Sequence, residues 1–436
     1  MKVTRKERVG WYFYDWANSA FSTTVITVFI GPYLTSITSA AADAQGMVHI
    51  LGVPVFHGSY FAYIISLSVI LQVLVLPYIG ALADYSGRKK LLLGIFAYLG
   101  AFATMAMYFL HGSNFLFGGF LFLVANLSFG ASVVVYNSYL SDIAEPGERD
   151  SVSSMGWAIG YIGGGIVLAL NLLLFTYAPE LKIATEMAVR ISLCSAGIWW
   201  AIFTLVPLLI LRTYRPLRTL PEGEHYMSAG SRQLIKTFRE LKNYPQAFLL
   251  LVAYLFYNDG VQSVITLSAV FGKQELGLGM TSLTQSILMV QFVAFLGSLL
   301  FNYMAKLYTT KRTILFSLVV WTICVVYAYA FLKTEFQFFI LAAVIALVLG
   351  GSQALSRSIF SQLIPKGKEA EYFSLYEVSE KGTSWMGPLL FGLALQITQS
   401  YRTAIFSLII FFVIGFVLLL KVNIKKGIAE ASIEGQ

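Results

Sequence analysis

Charged residues are scarce in this chain of 436 residues: Asp, Glu, Lys and Arg make up 12% of it, against roughly 25% in soluble domains. Hydrophobic residues reach 57%, more than the core of one soluble domain can hold, and this composition also excludes intrinsic disorder. The apolar stretches are continuous rather than alternating, which argues against a membrane β-barrel. The class that remains is an all-α polytopic membrane protein, with about 20 apolar residues in each span.

Cysteine and histidine are also sparse. Cys194 and Cys324 both lie in apolar segments, as small buried hydrophobic residues do, so no disulfide framework is indicated. Four histidines are scattered without the spacing typical of metal ligands. The sequence has no G-x-x-x-x-G-K-[ST] run for binding ATP. We therefore expect no enzyme activity, no metal and no cofactor.

Twelve apolar segments are long enough to cross a bilayer. Their predicted bounds are 11–37, 59–83, 91–110, 114–140, 152–177, 187–211, 246–271, 284–307, 313–332, 336–356, 371–398 and 401–422. One long, charged connection follows the sixth segment. The sequence therefore predicts an N-terminal six-helix bundle over 1–211, a central loop over 212–245 and a C-terminal six-helix bundle over 246–436.

The central loop contains a short amphipathic stretch. Apolar residues recur there at helical spacing: Leu234, Ile235, Phe238 and Leu241. This pattern predicts a helix that lies at the membrane surface and tethers the two halves. A binding site for a regulatory protein is the alternative.

The distribution of positive charge predicts the orientation. Most of the 30 Lys and Arg lie in the tails and in the connections that follow even-numbered segments. Five lie at the opposite ends of the segments: Lys182, Arg190, Lys273, Lys333 and Arg402. The positive-inside rule then places both termini in the cytoplasm, in a multi-pass protein of the bacterial inner membrane. Loops that face anionic lipid explain the net charge of +8, and no nucleic-acid partner is expected.

The two halves of the chain are weakly similar. The sequence NSYLSDI that begins at Asn137 aligns with RSIFSQL from Arg357, and the loop GALADYSGRKK from Gly80 has a degraded counterpart in NYMAKLYTTKR from Asn302. The offsets of the two matches nearly agree. A duplicated six-helix unit, as in many transporters, is therefore indicated.

GALADYSGRKK, residues 80–90, resembles the motif between the second and third helices of the major facilitator superfamily. The matching positions are Gly80, Leu82, Asp84, Gly87, Arg88 and Lys89. Gly80 allows close helix approach and Gly87 a tight turn, while Asp84 can pair with a basic residue or cap a neighbouring helix. Such a contact would make this a gating loop that latches one conformation. A basic loop that only sets topology is the alternative.

Further strings narrow the family: YDWANSAF at 14–21, GWAIGYIGG at 156–164, YNDG at 257–260, QALSR at 353–357 and AEYFSLY at 370–376. Together they resemble the vacuole-effluxer-like branch of that superfamily, which is related to fungal autophagy-linked vacuolar amino-acid exporters. The resemblance covers essentially the whole chain. It implies a twelve-helix facilitator fold, a cavity lined by helices 1, 4, 7 and 10, and export of a small amino acid or similar zwitterion.

Polar side chains within the spans are the candidate site, because a charge at midspan costs about 2.5–3.5 kcal/mol to insert. Asn258, Asp259 and Gln262 lie together in the seventh span. We interpret Asp259 as a carboxylate for a substrate amine or a coupling proton, and a structural ion pair is the alternative. Lys381 lies at similar depth in the eleventh span, four residues after Glu377, an order that favours an intrahelical ion pair. A Lys381–Asp259 pair, broken by substrate or proton, is the other possibility.

Further residues complete the candidate site. Asp15 and Asn18 share one face of the first span, where they either line a cavity or lie at the headgroups. Asn137 and Arg357 hold matching repeat positions, and Arg357 either binds a carboxylate or only follows the positive-inside rule. Gln353 is a weaker candidate that could simply hydrogen-bond a neighbouring helix.

The sequence therefore predicts a monomeric secondary transporter, surrounded by membrane lipids, that moves a small-molecule substrate by alternating access. Coupling to protons is an option that it leaves open. Two alternatives remain: export of a lipid, peptide or drug-like molecule, and a ligand sensor of transporter shape without net transport.

Overall fold

The computed structural model describes residues 5–144, 149–213, 239–364, 376 and 384–433. Contacts divide the chain into two compact units: one comprises Met1–His49 and Leu71–Arg232, and the other Ile50–Ile70 and Gln233–Gln436. The predicted bundle boundaries therefore stay a prediction. Most of the predicted amphipathic stretch, up to residue 238, lies outside the described residues.

The first half of the chain is helical apart from one small hairpin. Its helices are α1 Arg5–Ala20, a π-helical segment Phe21–Phe29, α2 Ile30–Ala40, α3 Tyr60–Ser86, α4 Lys89–Ala106, α5 Phe115–Ser138, α6 Leu140–Ile143, α7 Arg149–Tyr177 and α8 Thr185–Ile210. The hairpin consists of β1 Met47–Ile50 and β2 Val53–Phe56.

The second half is helical throughout its described part. Its helices are α9 Pro245–Leu276, α10 Met280–Leu307, α11 Thr310–Ala330, α12 Glu335–Gln362, α13 Met386–Thr398, α14 Tyr401–Ser407, α15 Ile409–Lys421 and α16 Ile424–Ile433. Short 3₁₀ turns connect some elements of both halves, for example His57–Ser59 and Leu241–Asn243.

Ten helical segments among the described residues are long and apolar enough to cross a bilayer. Two shorter apolar stretches, Met280–Ala294 within α10 and Met386–Thr398, which is α13, lie in the eighth and eleventh predicted spans. The predicted class, an all-α polytopic membrane protein, is confirmed. The described helices are consistent with the predicted twelve spans, of which the eleventh is described only in part.

Large aromatic residues form the centre of each unit. In the first unit α1 packs on α7 and α8, and α4 packs on α5 and α8. Trp11 and Trp200 are buried among these helices. In the second unit α9 packs on α15 and α10 on α12, and the buried Trp321 ring of α11 stacks on Phe412 of α15 with centroids 5.4 Å apart.

Two arginines bind the carbonyl groups at the end of a neighbouring helix. Arg190, near the start of α8, donates from Nε to the Tyr108 carbonyl at 2.6 Å. Arg402, in α14, donates from Nε to Glu275 Oε1 at 2.6 Å. Its terminal nitrogens donate to the carbonyl oxygens of Ala328, Tyr329 and Leu332, at 3.3, 3.0 and 2.6 Å. The last carbonyls of a helix lack partners within it, so Arg402 closes the end of α11, and Arg190 binds the 3₁₀ turn Met107–Phe109 that follows α4.

Candidate functional site

In the first unit, the Asp15 carboxylate lies where α1 meets α5 and α7. Asp15 Oδ2 accepts a hydrogen bond of 2.7 Å from the Tyr136 hydroxyl. The Tyr136 ring stacks on Trp11 with centroids 4.2 Å apart, and Trp11 Nε1 donates to the Tyr136 carbonyl at 3.0 Å. Asp15 is half-buried. Aromatic residues thus hold the carboxylate in place while part of the residue stays accessible.

Glycines of α7 allow this close approach to α1. Every fourth residue along the contact is a glycine: Gly156, Gly160 and Gly164. The residues of α1 and the segment after it that they meet are also four apart: Asp15, Ser19 and Thr23. A Cβ atom on any of the three glycines would come within 2.9 Å of the side chain opposite. Small residues at this spacing let two membrane helices pack closely, so the glycine run positions Asp15.

After Ala20, the first helix continues as a π-helix over Phe21–Phe29. The Ile30 N–H bonds to the Val25 carbonyl, five residues back, where an α-helix would bond four residues back. π-helical turns inside α-helices occur frequently at functional sites. Nothing in the sequence of the segment predicted this winding.

Two polar side chains, one before this segment and one within it, are buried and have no hydrogen-bond partner among the described residues. Asn18 is 5% exposed and Thr24 is fully buried. Among the described residues, neither Asn18 Nδ2 nor Thr24 Oγ1 has a hydrogen-bond partner. Most buried polar side chains in proteins are hydrogen-bonded. The α1 region therefore combines an accessible carboxylate with buried groups that can bind a polar ligand.

In the second unit, Asp259 of α9 is fully buried. Its Oδ2 atom accepts a hydrogen bond of 2.8 Å from the backbone N–H of Gly387, the second residue of α13. Ser263 Oγ donates to Oδ1 at 3.5 Å. Asp259 therefore caps the N-terminus of α13, a partner that sequence reasoning missed.

The neighbours of Asp259 are mostly buried as well. Asn258 is 1% exposed, and the buried Tyr257 hydroxyl lies 2.5 Å from Ser356 Oγ of α12. The Tyr254 ring stacks on Tyr376 with centroids 4.4 Å apart. In each unit, then, the helix that carries the candidate acid also supplies a stacked aromatic residue.

Other predicted site residues are less enclosed. Gln262, Gln353 and Asn137 are half-buried, and Arg357 is exposed. Glu377 and Lys381 lie outside the described residues, so the two proposed partners of Lys381 remain predictions.

The predicted gating loop joins α3 to α4. Gly87 has a φ of +64°, which favours glycine, and a Cβ on Gly80 would lie 3.6 Å from Val134 of α5. The Asp84 side chain lies outside the described part of the chain. Arg88 is exposed.

Lys89, by contrast, is buried and points into the unit. Its Nζ atom donates to Asp142 Oδ2 at 2.8 Å and to the Ser138 carbonyl at 2.9 Å. The side chain of Asp142 is 4% exposed. The loop is thus tied to the end of α5 and to α6 by a buried ion pair, which the motif alone did not predict.

A protein-family model described as "Vacuole effluxer Atg22 like" matches residues 3–149 and 141–432 of the chain. The chain belongs to the vacuole effluxer Atg22-like family. This confirms the resemblance that its motifs indicated.

Relatives of this Atg22-like protein match along most of their length. One is the uncharacterized MFS-type transporter YxiO of Bacillus subtilis, 34% identical over 422 residues that cover 96% of this chain and 95% of YxiO. Another is autophagy-related protein 22 of Yarrowia lipolytica, 26% identical over 471 residues that cover 88% of this chain and 79% of that protein.

Solved transporter structures share the fold. The nucleoside transporter NupG superposes with a TM-score of 0.66 at 13% identity, covering 97% of this chain and 98% of NupG. The inward-open xylose transporter XylE from E. coli gives 0.65 at 10% identity, covering 98% of both chains. Together with the family match and the MFS-type relative YxiO, the shared fold identifies the Atg22-like protein as a multi-pass membrane transporter of the major facilitator type and not an enzyme.

Proposed function

We propose that this chain is a secondary active transporter that exports a small amino acid or a similar zwitterionic metabolite by alternating access. The family supports efflux, since its model describes vacuole effluxers. The observation that carries the proposal is a pair of acids in two candidate membrane spans, Asp15 in Arg5–Ala40 and Asp259 in Pro245–Leu276. Among the described residues, neither Asp15 nor Asp259 has a Lys, Arg or His nitrogen within 4.0 Å.

An intramembrane carboxylate without a cation is costly unless a positive group or a proton neutralises it. We assign the ammonium group of the substrate to Asp15, because this residue is partly accessible and Tyr136 orients its carboxylate. Asn18 Nδ2 and Thr24 Oγ1, which have no hydrogen-bond partner among the described residues, lie on the same span, and they add groups that can bind the polar end of a zwitterion.

Asp259 suits a proton better than a substrate. It is fully buried, and the N–H of Gly387 occupies one of its oxygens. A small cation such as a proton can reach this carboxylate when the surrounding helices move, whereas a substrate would need room that the described side chains fill. We therefore assign substrate binding to Asp15 and coupling to Asp259.

Counterflow in proteoliposomes tests both assignments. Vesicles are preloaded with a mixture of unlabelled amino acids, and one labelled amino acid at a time is added outside. We expect wild-type protein to accumulate label. Asp15→Asn should reduce the rate of accumulation at least about tenfold, because it removes the charge that binds the ammonium group. Asp259→Asn should retain counterflow, but its counterflow should no longer respond to a pH gradient. Glu180→Gln, which removes an exposed acid between α7 and α8, is the matched control and should behave as wild type.

Two results would contradict the proposal. Absence of counterflow for every amino acid, from folded wild-type protein, would reject the substrate class and leave lipids, peptides or drug-like molecules as the next candidates. Normal counterflow by Asp15→Asn would reject the assigned binding residue even if an amino acid is transported.

A further inference from the structure

A cationic cleft lies at one end of the first unit. It has a volume of about 450 Å³ and is formed by the start of α1, the start of α4 and the residues that follow α8. Three cations line it: Lys6, Lys90 and Arg212. Among the described residues that line it, the only acid is Glu7, which lies 3.6 Å from the Arg212 guanidinium. The cleft therefore has a surplus of positive charge.

An apolar groove continues from this cleft between α4 and α8. It has a volume of about 530 Å³ and shares Lys90 and Thr213 with the cleft. Its walls are apolar apart from these two residues and Tyr98; among them are Gly94 and Ile95 of α4 and Leu208 of α8. Gly94 has no side chain, so the Leu208 side chain faces its backbone directly.

The groove opens onto a surface that is apolar and exposed. Along α4, four such residues recur at helical spacing: Leu91, Ile95, Leu99 and Phe102. Along α8 the corresponding residues are Ile198, Ile202, Leu205 and Leu209. In a membrane transporter, exposed apolar helix faces of this kind contact lipid chains. The groove is thus placed where an acyl chain can enter sideways.

The two neighbouring lysines at the start of α4 have different surroundings. Lys89 is bound inside the unit by Asp142 and Ser138. Lys90 lines both the cleft and the groove. Among the described residues, no carboxylate lies within 4.0 Å of the Lys90 ammonium. This cation lies where the polar and apolar parts of the site meet.

We propose that the cleft and groove bind one anionic phospholipid. Its phosphate lies among Lys6, Lys90 and Arg212, and one acyl chain follows the groove over Gly94. Charge complementarity selects an anionic headgroup, and basic sites between membrane helices are known binding places for such lipids. A free phosphate ion would bind in the cleft but make no contact with the apolar groove. Because the groove continues directly from the cleft, the site favours a phospholipid over a free phosphate ion.

Native mass spectrometry of the full chain in a neutral detergent tests this site. Phosphatidylglycerol and phosphatidylcholine with the same acyl chains are added at equal concentration. We expect wild-type protein to retain phosphatidylglycerol preferentially. Lys6→Gln/Lys90→Gln should weaken that retention roughly 30-fold, because each lysine near an anionic headgroup contributes about a fivefold factor.

The matched control removes the same charge elsewhere. Lys425 and Lys426 are exposed on α16, and Lys425→Gln/Lys426→Gln should retain the lipid as wild type does. Equal retention by the two double variants would overturn the proposal.

A variant that fills the groove distinguishes binding of a lipid from binding of a free anion. It also tests the proposal if the lysine variant does not fold. A Cβ on Gly94 would lie 3.4 Å from the Leu208 side chain, an ordinary contact, so Gly94→Leu fills the groove without changing charge. We expect it to reduce phosphatidylglycerol retention at least about fivefold, because the acyl chain loses its apolar contact area. Undiminished retention by Gly94→Leu, or displacement of the lipid by millimolar inorganic phosphate, would identify a free-anion cleft and reject the lipid site.

Discussion

The Asp259 carboxylate accepts a hydrogen bond of 2.8 Å from the backbone N–H of Gly387, so an acidic side chain of α9 caps the N-terminus of α13. The first N–H groups of a helix lack partners within it, and a negative charge there also interacts favourably with the helix dipole. The residue that the sequence singled out for coupling therefore also has a structural role. Substitutions of different chemistry can separate the two roles.

Asp259→Asn keeps an acceptor oxygen for Gly387, whereas Asp259→Ala removes it. We expect Asp259→Ala to lose about 1 kcal/mol or more of stability, as other cap removals do, and Asp259→Asn to lose clearly less. Thermal unfolding in detergent measures both. Equal losses in the two variants would show that the cap does not depend on an acceptor atom at this position.

The glycine run of α7 contains a matched pair of positions. A Cβ on Gly163 would lie 2.7 Å from the Trp16 carbonyl oxygen and 3.0 Å from the Trp16 Cα, backbone atoms that cannot turn aside. A Cβ on Gly165 would meet nothing within 4 Å. We expect Gly163→Ala to lower the Tm strongly or to prevent folding.

Gly165→Ala is the control for that substitution, and it should keep or slightly raise the Tm, because alanine favours a helix by up to about 1 kcal/mol over glycine. The contact between α1 and α7 would have to be looser than described if both variants unfolded at the same temperature.

Arg402 closes the end of α11 with donors that a lysine cannot reproduce. Its guanidinium reaches Glu275 and three carbonyl oxygens at once, and a lysine offers one compact ammonium instead of a planar fork. We expect Arg402→Lys to destabilise the protein by about 1–3 kcal/mol, seen as a lower Tm. Arg312→Lys, at an exposed position of the same unit, should leave the Tm unchanged, and a similar Tm in both variants would refute this role.

Substitution of Lys89 should lower the stability of the protein, whereas substitution of Lys90 should lower its retention of anionic lipid. Lys89→Gln leaves the Asp142 carboxylate, 4% exposed, without its cation, and breaking a buried ion pair costs about 3–5 kcal/mol. Lys90→Gln should change the Tm little in detergent but reduce phosphatidylglycerol retention about fivefold. Measuring both properties in both variants checks the assignment, which fails if Lys90→Gln is the less stable of the two.

Much of the fold was predictable from the sequence, because the hydrocarbon core of a bilayer restricts the length and composition of the helices that cross it. Ten of the predicted spans coincide with described helices that are long and apolar enough to cross a bilayer, since every span must be long, apolar and internally hydrogen-bonded. The turn at Gly87 was also predictable, because a loop motif with glycine at a fixed position specifies local geometry.

The contacts of the candidate site were less predictable, because they join residues far apart in the chain. Helical spacing places Asp15 and Asn18 on one face, but it does not reveal that Tyr136 binds the carboxylate. Similarly, the depth of Asp259 in its span gave no sign that Gly387 would bind it. Arg402 was interpreted only as a loop charge, and its three carbonyl partners arise from packing of helices that are separate in sequence.

The π-helical segment Phe21–Phe29 has a consequence for comparing relatives. Each π turn takes up more residues than an α turn, so a helical wheel drawn at about 100° per residue through the whole first span assigns the wrong faces to α2. Faces of α2 and of the corresponding helix in a relative can therefore be compared only after this change of winding has been counted.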